Sequence, residues 1–160
     1  EYLKVLHSRE QGSPPYLNLD TEQAVQGCVL QLIRAGLVQS AHDCSDGGVT
    51  VALAECCMSG PDRSRGAVVR LTPGRQRKDS MLFGESQSRI IVSAKPAQRQ
   101  AILEQAQRLG VPAGVIGAVG GASLVIYLGD EGSTTKTVDL PVTTLADCWK
   151  YSLERKLSQE

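Results

Sequence analysis

The segment at residues 41–55, AHDCSDGGVTVALAE, places side chains that could hold a metal ion beside groups that could bind a phosphate. Asp43 and Asp46 supply two carboxylates within one turn, and Ser45 adds a hydroxyl between them. Hard oxygen ligands of this kind suit Mg²⁺, which normally keeps some of its waters and bridges to substrate phosphates. The segment is therefore a candidate site for magnesium and an anion.

Two glycines follow these acids and lead into a predicted helix. Gly47 and Gly48 permit a positive φ or the close approach of a phosphate. Ser45 or Asp46 can cap the helix, whose first N–H groups would then face a negative group. The alternative is a plain strand-to-helix turn, in which Asp43 and Asp46 cap N–H groups and the glycines only make the bend.

A second polar group stands at residues 83–89, FGESQSR, directly before a predicted strand. A run of polar residues such as this cannot all face a core. Glu85, Ser86 and Gln87 offer donors and acceptors for a polar small molecule, which favours a ligand loop. The alternative is a polar loop in which Glu85 pairs with Arg89.

The elements that must position these groups follow from apolar spacing and turn residues. A helix capped by Asp20 or Thr21 is expected to stop near Gly36, and a second helix begins with Pro96 at its N1 position and ends near Leu109. The segment around the first motif predicts an edge strand at 38–42 and an apolar helix at 48–59. Further strands are expected at 67–71 and 89–94.

The C-terminal part is predicted to be mostly strand. Strands at 115–119 and 124–128 flank Gly120-Gly121 and so predict a hairpin with a two-residue loop. A turn at 130–135, a strand at 136–140 and a helix at 144–157 complete the chain. This irregular order predicts an α+β fold with a mixed β-sheet flanked by helices, and the absence of G-x-G-x-x-G after a strand disfavours a doubly wound sheet.

Size and charge narrow the function classes. The 160 residues suffice for one core, and 17 basic residues balance 17 acidic ones. A chain without net charge lacks the field that drives nucleic-acid binding, so we expect no nucleic-acid partner. No apolar stretch reaches about 18 residues and the N-terminus lacks a signal-peptide pattern, so we expect no membrane association and a cytoplasmic location.

The cysteines and histidines indicate a functional site less clearly than the two polar motifs do. The five cysteines lack the spacing of a zinc site, so free and mostly buried thiols are expected. Cys44 lies inside the acidic turn, where a role as nucleophile is the alternative. His42 could act as a general base, but a histidine beside a carboxylate is more often a structural hydrogen-bonding partner.

The two motifs AHDCSDGGVTVALAE and LFGESQSRIIVS together resemble the second half of phosphoribosylformylglycinamidine synthase (PurL), a family of the aminoimidazole ribonucleotide synthase-like superfamily. The opening EYLKVLHSREQGSPPYLNLDTEQAV also resembles the junction that leaves the preceding half-domain in that family. The resemblance covers nearly the whole chain but only part of a much longer polypeptide. It implies that residues 1–18 are the tail of a preceding domain with a linker, and that residues 19–160 are the family's C-terminal domain.

The resemblance implies a domain of an ATP-dependent ligase of purine biosynthesis, which converts formylglycinamide ribonucleotide, glutamine-derived ammonia and ATP to the amidine, ADP and phosphate. By analogy, Asp43 is a Mg²⁺ ligand, while Ser45, Asp46, Gly47 and Gly48 bind nucleotide phosphate. Glu85, Ser86 and Gln87 match an element that binds the ribonucleotide substrate. The cofactors implied are Mg²⁺ and ATP, with ATP as substrate or ADP as a structural nucleotide.

The catalytic histidine and the glutaminase of that family are expected outside this chain, so the chain alone is predicted to be inactive. The implied partners are the rest of the synthase polypeptide, a separate glutaminase and small accessory subunits. A half-domain cut from its partner exposes the surface that it normally buries, so a homodimer of the chain is compatible with this interpretation.

Two alternatives remain open. The chain could be a binding or assembly module that uses the same fold only for protein contacts. It could also be a domain of another enzyme of the superfamily, such as a small-molecule kinase.

Overall fold

The structure is a computed structural model that describes residues 2–11, 14–59, 65–72, 74, 76–129 and 136–158. Within these residues no helix is long and apolar enough to cross a membrane. The elements follow in this order: α1 Tyr2–His7, α2 Leu19–Arg34, β1 Ser40–Asp43, α3 Gly48–Met58, β2 Ala67–Leu71, α4 Lys78–Phe83, β3 Ile90–Ser93, a 3₁₀ turn Pro96–Gln98, α5 Arg99–Arg108, β4 Gly117–Val119, β5 Ser123–Leu128, β6 Lys136–Pro141 and α6 Val142–Leu157.

The chain forms two compact units, of which the first comprises Glu1–Ala52 and Asp79–Val115. In this unit β1 pairs with β3 as an antiparallel two-stranded ladder. Helices α2 and α5 supply the core, because their apolar side chains recur every three or four residues and so lie on one face of each helix. This core consists of Cys28, Leu32, Ile102 and Ala106, with Leu37, Val38 and Val111 packed against it.

The second unit comprises Leu53–Lys78 and Ile116–Glu160 and contains a four-stranded sheet in the order β4-β2-β5-β6. Strands β2 and β5 are parallel, whereas β4 and β6 run antiparallel to their neighbours. Side chains of β2 alternate strictly between buried and exposed, as expected for a strand with one face on a core. Leu124 and Ile126 of β5 and Val142 of α6 are fully buried. The predicted α+β class with a mixed sheet is confirmed.

The predicted hairpin between the strands around Gly120-Gly121 is wrong. Strands β4 and β5 do not pair with each other, because β2 lies between them and bonds to both. The two glycines instead meet the start of β2: the Gly120 N–H donates to the Gly66 carbonyl at 2.8 Å, and the Gly66 N–H donates to the Gly121 carbonyl at 2.9 Å. Strand β2, which is distant in sequence, thus lies between β4 and β5, whereas a hairpin would require these two strands to pair directly.

Several boundaries also differ from the expectation. Helix α2 is capped by Asn18, whose Oδ1 accepts from the Thr21 N–H at 2.9 Å, and not by Asp20 or Thr21. Asn18 offers a short side-chain acceptor three residues before the N–H that it caps, the spacing a cap requires. Helix α6 begins two residues earlier than predicted, and helix α4 was not predicted. The predicted turn at 130–135 lies outside the described residues.

The corrected sheet order makes a prediction at Gly117. A Cβ there would lie 2.1 Å from the Val68 carbonyl oxygen and 2.9 Å from the Val69 Cα, both backbone atoms of β2. We expect Gly117→Ala to lower the free energy of unfolding by about 1–3 kcal/mol, the usual cost of overpacking. Gly114→Ala, where a Cβ meets nothing within 4 Å, is the control and should stay within about 0.5 kcal/mol. Urea denaturation measures both, and equal stabilities would contradict the β4–β2 pairing.

Candidate functional site

The two polar motifs lie at the same end of the β1–β3 ladder. Strand β1 runs into the acidic turn, while β3 follows the GESQSR loop, and the antiparallel register pairs Asp43 with Ile90. The pairing continues one residue further, because the Cys44 N–H donates to the Arg89 carbonyl at 2.9 Å. In an antiparallel pair, the end of one strand lies beside the start of the other. The two motifs are therefore neighbours at this end of the ladder.

A side chain of the second motif bonds directly to the first. The Gly47 N–H donates to Glu85 Oε1 at 3.0 Å, across 38 residues of sequence, in a partly buried contact. Gly47 immediately precedes α3, whose N-terminal end attracts negative charge through its free N–H groups and the helix dipole. The Glu85 carboxylate thus bonds at the glycine turn that was predicted to receive a phosphate.

The glycines of the turn are required by the protein's own packing. Gly48 has φ +69°, and a Cβ there would lie 2.7 Å from the Gly84 carbonyl oxygen and 2.8 Å from the Phe83 carbonyl carbon. Gly47 has φ +75°, and its Cβ would meet the Val51 side chain at 2.4 Å. The close approach predicted at Gly48 is therefore made by the backbone at the end of α4.

Asp43 presents an ionised carboxylate to solvent. Its side chain is 70% exposed, and the Ser45 hydroxyl donates to its Oδ2. This hydrogen bond, with a smaller contribution from a backbone hydrogen bond at Asp43, holds the pKa of Asp43 below its usual range. Asp46 lies exposed in the same turn. An exposed carboxylate that stays ionised is a suitable ligand for a hard cation.

The structure does not assemble a complete metal centre from side chains alone. Among the described residues, no group of three or more His, Cys, Asp or Glu side chains could hold a metal ion. Magnesium is often held by one or two carboxylates, with the other positions filled by waters and substrate phosphates. Asp43 fits that kind of open site, in which the ligand supplies part of the coordination.

His42 and Cys44 have structural contacts. The His42 Nδ1 lies 2.7 Å from the Asp43 backbone carbonyl, and because a carbonyl only accepts, Nδ1 carries the proton of this bond. Cys44 is buried, with 6% of its surface exposed. The five cysteines are free, and Cys28 and Cys57 are also buried. These contacts agree with the structural alternative for His42 and with the expected free thiols.

The second motif forms a loop with two exposed polar side chains. Ser86 and Gln87 are exposed, whereas Glu85, Ser88 and Arg89 are partly buried. The Arg89 guanidinium reaches back along the loop and donates to the Gly84 carbonyl and, through Nε at 3.3 Å, to the Ser86 carbonyl. Two of the three predicted loop residues thus face solvent, and the third bonds to the glycine turn.

Sequence analysis missed Glu22, which lies in the first turn of α2. Its Oε2 accepts from the Ser88 hydroxyl at 2.5 Å, across 66 residues, and its Oε1 accepts from the Gln26 amide at 2.6 Å. The bond from Ser88 makes the largest contribution to lowering the pKa of Glu22, and the bond from Gln26 adds to it. No sequence pattern links a helix-start glutamate to a distant serine, so only the structure reveals this contact.

The fold and these motifs are those of a known family. The family described as AIR synthase related protein, C-terminal domain, matches residues 2–129, and the chain belongs to this family. The chain is also similar to the PurL subunit of phosphoribosylformylglycinamidine synthase from Anaeromyxobacter sp. (strain Fw109-5), with 45% identity over 167 residues that cover 100% of the chain and 21% of that subunit. The PurL subunit of Moorella thermoacetica is 47% identical over 153 residues, which cover 96% of the chain and 20% of that subunit.

Solved structures agree with these relatives. Phosphoribosylformylglycinamidine synthase II from Thermotoga maritima matches with a TM-score of 0.68 at 25% identity, over 82% of this chain and 22% of that one. The T. maritima PurL complexed with ADP matches with a TM-score of 0.67 at 25% identity, over the same shares of the two chains. The chain thus spans about a fifth of the length of the relatives that it matches. The predicted resemblance to PurL is confirmed.

The packing of the glycine turn makes a prediction at Gly48. Gly48→Ala must place a Cβ against the backbone of α4 and keep a positive φ. Gly110 has nearly the same φ, +68°, but a Cβ there meets nothing within 4 Å. We expect Gly110→Ala to cost about 1 kcal/mol for the left-handed backbone alone, and Gly48→Ala to cost about 1–3 kcal/mol more. Chemical denaturation measures the difference, and equal costs would contradict the close approach.

The bond between Ser45 and Asp43 predicts a pH effect. A carboxyl with a lowered pKa in the folded state adds stability above its usual pKa, and this contribution is lost as pH falls through the folded pKa. Removing the donor with Ser45→Ala should raise the pKa of Asp43 towards its usual range and weaken this acid dependence. Carboxyl-carbon NMR titration of Asp43 measures the change, with Ser59→Ala as a control outside the turn. An Asp43 pKa that stays low in Ser45→Ala would show that another group causes the shift.

Proposed function

We propose that the chain is the C-terminal domain of the second half of a PurL-type ligase, where it contributes to a magnesium–nucleotide or substrate site. The overall reaction would convert formylglycinamide ribonucleotide, ammonia from glutamine and ATP to formylglycinamidine ribonucleotide, ADP and phosphate. Family membership and the PurL relatives support this proposal. The single observation that carries the site is the bond between the Gly47 N–H and Glu85, because it unites the two predicted motifs.

In this proposal Asp43 holds Mg²⁺, and Ser45 contacts the nucleotide. Asp46, Gly47 and Gly48 form the turn that carries these side chains to the start of α3. When bound, magnesium would offset the negative charge of the phosphates. The exposure of the Asp43 side chain supports the assignment, since an exposed carboxylate can reach a hydrated cation. T. maritima PurL has been solved in complexes with ATP and with ADP, which are nucleotides of the kind proposed here.

Ser86 and Gln87 are the loop side chains that would meet a polar ligand. Both are exposed, and together they offer a hydroxyl and an amide as donors and acceptors. Glu85 bonds to the glycine turn, so its proposed role is to hold the loop against that turn. T. maritima PurL has also been solved with FGAR, a ligand rich in the hydroxyl, amide and phosphate groups that such a loop can bind.

The chemistry would be carbonyl activation followed by substitution. ATP phosphorylates the amide oxygen of the substrate and leaves as ADP, and ammonia then displaces that oxygen as phosphate. This chain would bind and orient ligands and would not supply the catalytic histidine, so no catalytic residue is assigned to it. The isolated chain would then be inactive, with the remaining groups carried by the rest of the polypeptide.

The proposed partners are the rest of the synthase polypeptide, a separate glutaminase and small accessory subunits, in the cytoplasm. A structure of PurLQS from T. maritima supports the existence of such an assembly for a relative. In this chain, α6 exposes Trp149, Leu153 and Leu157 along one side, and α1 exposes Val5 and Leu6. Exposed apolar side chains of this kind favour a covering partner, including a second copy of the chain.

The assignment of Asp43 predicts a loss of magnesium-dependent nucleotide binding. We expect calorimetry to detect ADP binding to the chain only with Mg²⁺ present, and Asp43→Asn to weaken it at least about tenfold, because it removes a charged ligand. Asp147→Asn, at an exposed acid on α6, is the matched control and should bind as the unmodified chain does. Binding that Asp43→Asn leaves unchanged would contradict the metal site.

The ligase assignment predicts that the chain can replace its counterpart in a relative. In a chimera, this chain would take the place of the matching fifth of the Anaeromyxobacter PurL subunit. We expect the chimera to form the amidine when ammonia, ATP and the ribonucleotide are supplied, and to lose most of this activity with Asp43→Asn. A chimera that melts like the parent subunit but forms no amidine would contradict the proposal.

A further inference from the structure

The loop at residues 84–89 is held at both of its ends. At its start, the Gly84 N–H donates to the Ser80 carbonyl at 2.9 Å, and the Gly84 carbonyl accepts from the Arg89 guanidinium. At its end, the Arg89 carbonyl accepts from the Cys44 N–H and so enters the β1–β3 ladder. Between these ends, the Ser86 carbonyl accepts from Arg89 Nε, and the side chains of Glu85 and Ser88 bond to the glycine turn and to α2.

Ser88 has an unusual backbone conformation. Its φ is +62°, in the left-handed region that residues with a Cβ rarely adopt because the side chain crowds the backbone. Such a residue persists only where its surroundings fix it. The hydroxyl of Ser88 donates to Glu22 at 2.5 Å, which makes this charged hydrogen bond a direct restraint on the strained residue.

Glu22 is anchored on a rigid element. It lies in the first turn of α2, and the Gln26 amide one turn later holds its other carboxylate oxygen. Helix α2 is fixed in turn by Cys28 and Leu32, which lie in the core of the first unit. Glu22 can therefore transmit the position of a packed helix to the loop through Ser88, whose hydroxyl makes the larger contact and whose backbone N–H adds a second.

We propose that Glu22 is a positioning residue of the ligand loop: through Ser88 it fixes the loop backbone and so keeps Glu85 on the glycine turn. The lowered pKa of Glu22 is consistent with this, because the ionised carboxylate is the stronger acceptor. The expected effect of Glu22 on ligand binding rests on the proposed function, because that effect requires Ser86 and Gln87 to contact a ligand. The expected effect of Glu22 on the Gly47 N–H is independent of the proposed function.

The Gly47 amide is the direct reporter of this positioning. In nitrogen-15 spectra of the ligand-free chain, we expect Glu22→Ala to shift the Gly47 resonance and to speed its hydrogen exchange by about three- to tenfold, the loss of one modest hydrogen bond. Glu22→Gln keeps an oxygen acceptor for the Ser88 hydroxyl and should restore most of the protection. Glu104→Ala is the matched control, because Glu104 also accepts from a glutamine four residues away on its helix, Gln100 of α5.

Ser88→Gly separates positioning from general stability. Glycine relieves the strain at the positive φ but deletes the hydroxyl, so the variant should melt no lower than the unmodified chain while Gly47 exchanges faster. The inference is overturned if neither Glu22→Ala nor Ser88→Gly changes the Gly47 amide. It is also overturned if Glu22→Gln is perturbed as strongly as Glu22→Ala, or if Glu104→Ala has the same effect.

A titration of the same variants separates this inference from the proposed function. The probes are formylglycinamide ribonucleotide and ADP with Mg²⁺, and at least one should bind Glu22→Ala more weakly than Glu104→Ala by about the factor seen in exchange. If the Gly47 amide responds as expected but the unmodified chain binds neither probe, the proposed function fails and the positioning role stands. If the probes bind and Gly47 does not respond, the positioning role fails.

Discussion

The antiparallel ladder of β1 and β3 is the constraint on which the candidate site depends. Asp43 pairs with Ile90, and the bond from the Cys44 N–H to the Arg89 carbonyl extends the ladder to its last residues. Because the strands run in opposite directions, the turn after β1 and the loop before β3 must leave from the same end. The hydrogen bond from Gly47 to Glu85 then joins two segments that are 38 residues apart in sequence. Without this register, each motif would be only a polar turn.

Contacts with the helices hold the turn after β1 and the loop before β3 in place. The start of α3 lies against the end of α4 at Gly48, where the packing leaves no room for a Cβ. Helix α2 contacts the loop through Glu22 and Ser88, and α2 packs against α5 through the shared core. Beside these contacts, Asp43, Ser86 and Gln87 present exposed polar groups to solvent.

Local signals in the sequence predicted much of this arrangement. The β-branched run at residues 67–71 located β2 to the residue, and the glycine pair located the start of α3 at Gly48. The hairpin was wrong because its evidence was also local: Gly120-Gly121 marks a turn, but which strand fills the adjacent place depends on β2, some fifty residues away. The bond between Glu22 and Ser88 shows the same limit for the site, because neither residue carries a local signal of the other. The motif residues were proposed because carboxylates, hydroxyls and glycines beside a helix start are the groups that bind metal ions and phosphates.

Amide-shift mapping tests most directly whether the acidic turn and the GESQSR loop form one ligand site. The nitrogen-15 spectrum of the chain would be followed during titration with ADP at a fixed excess of Mg²⁺, and again without the metal. If the turn and the loop form one site, the amides of residues 43–48 and 85–88 shift together, with the same dissociation constant and only when magnesium is present. Shifts confined to one of the two segments, or concentrated on the sheet of the second unit, would contradict a single site.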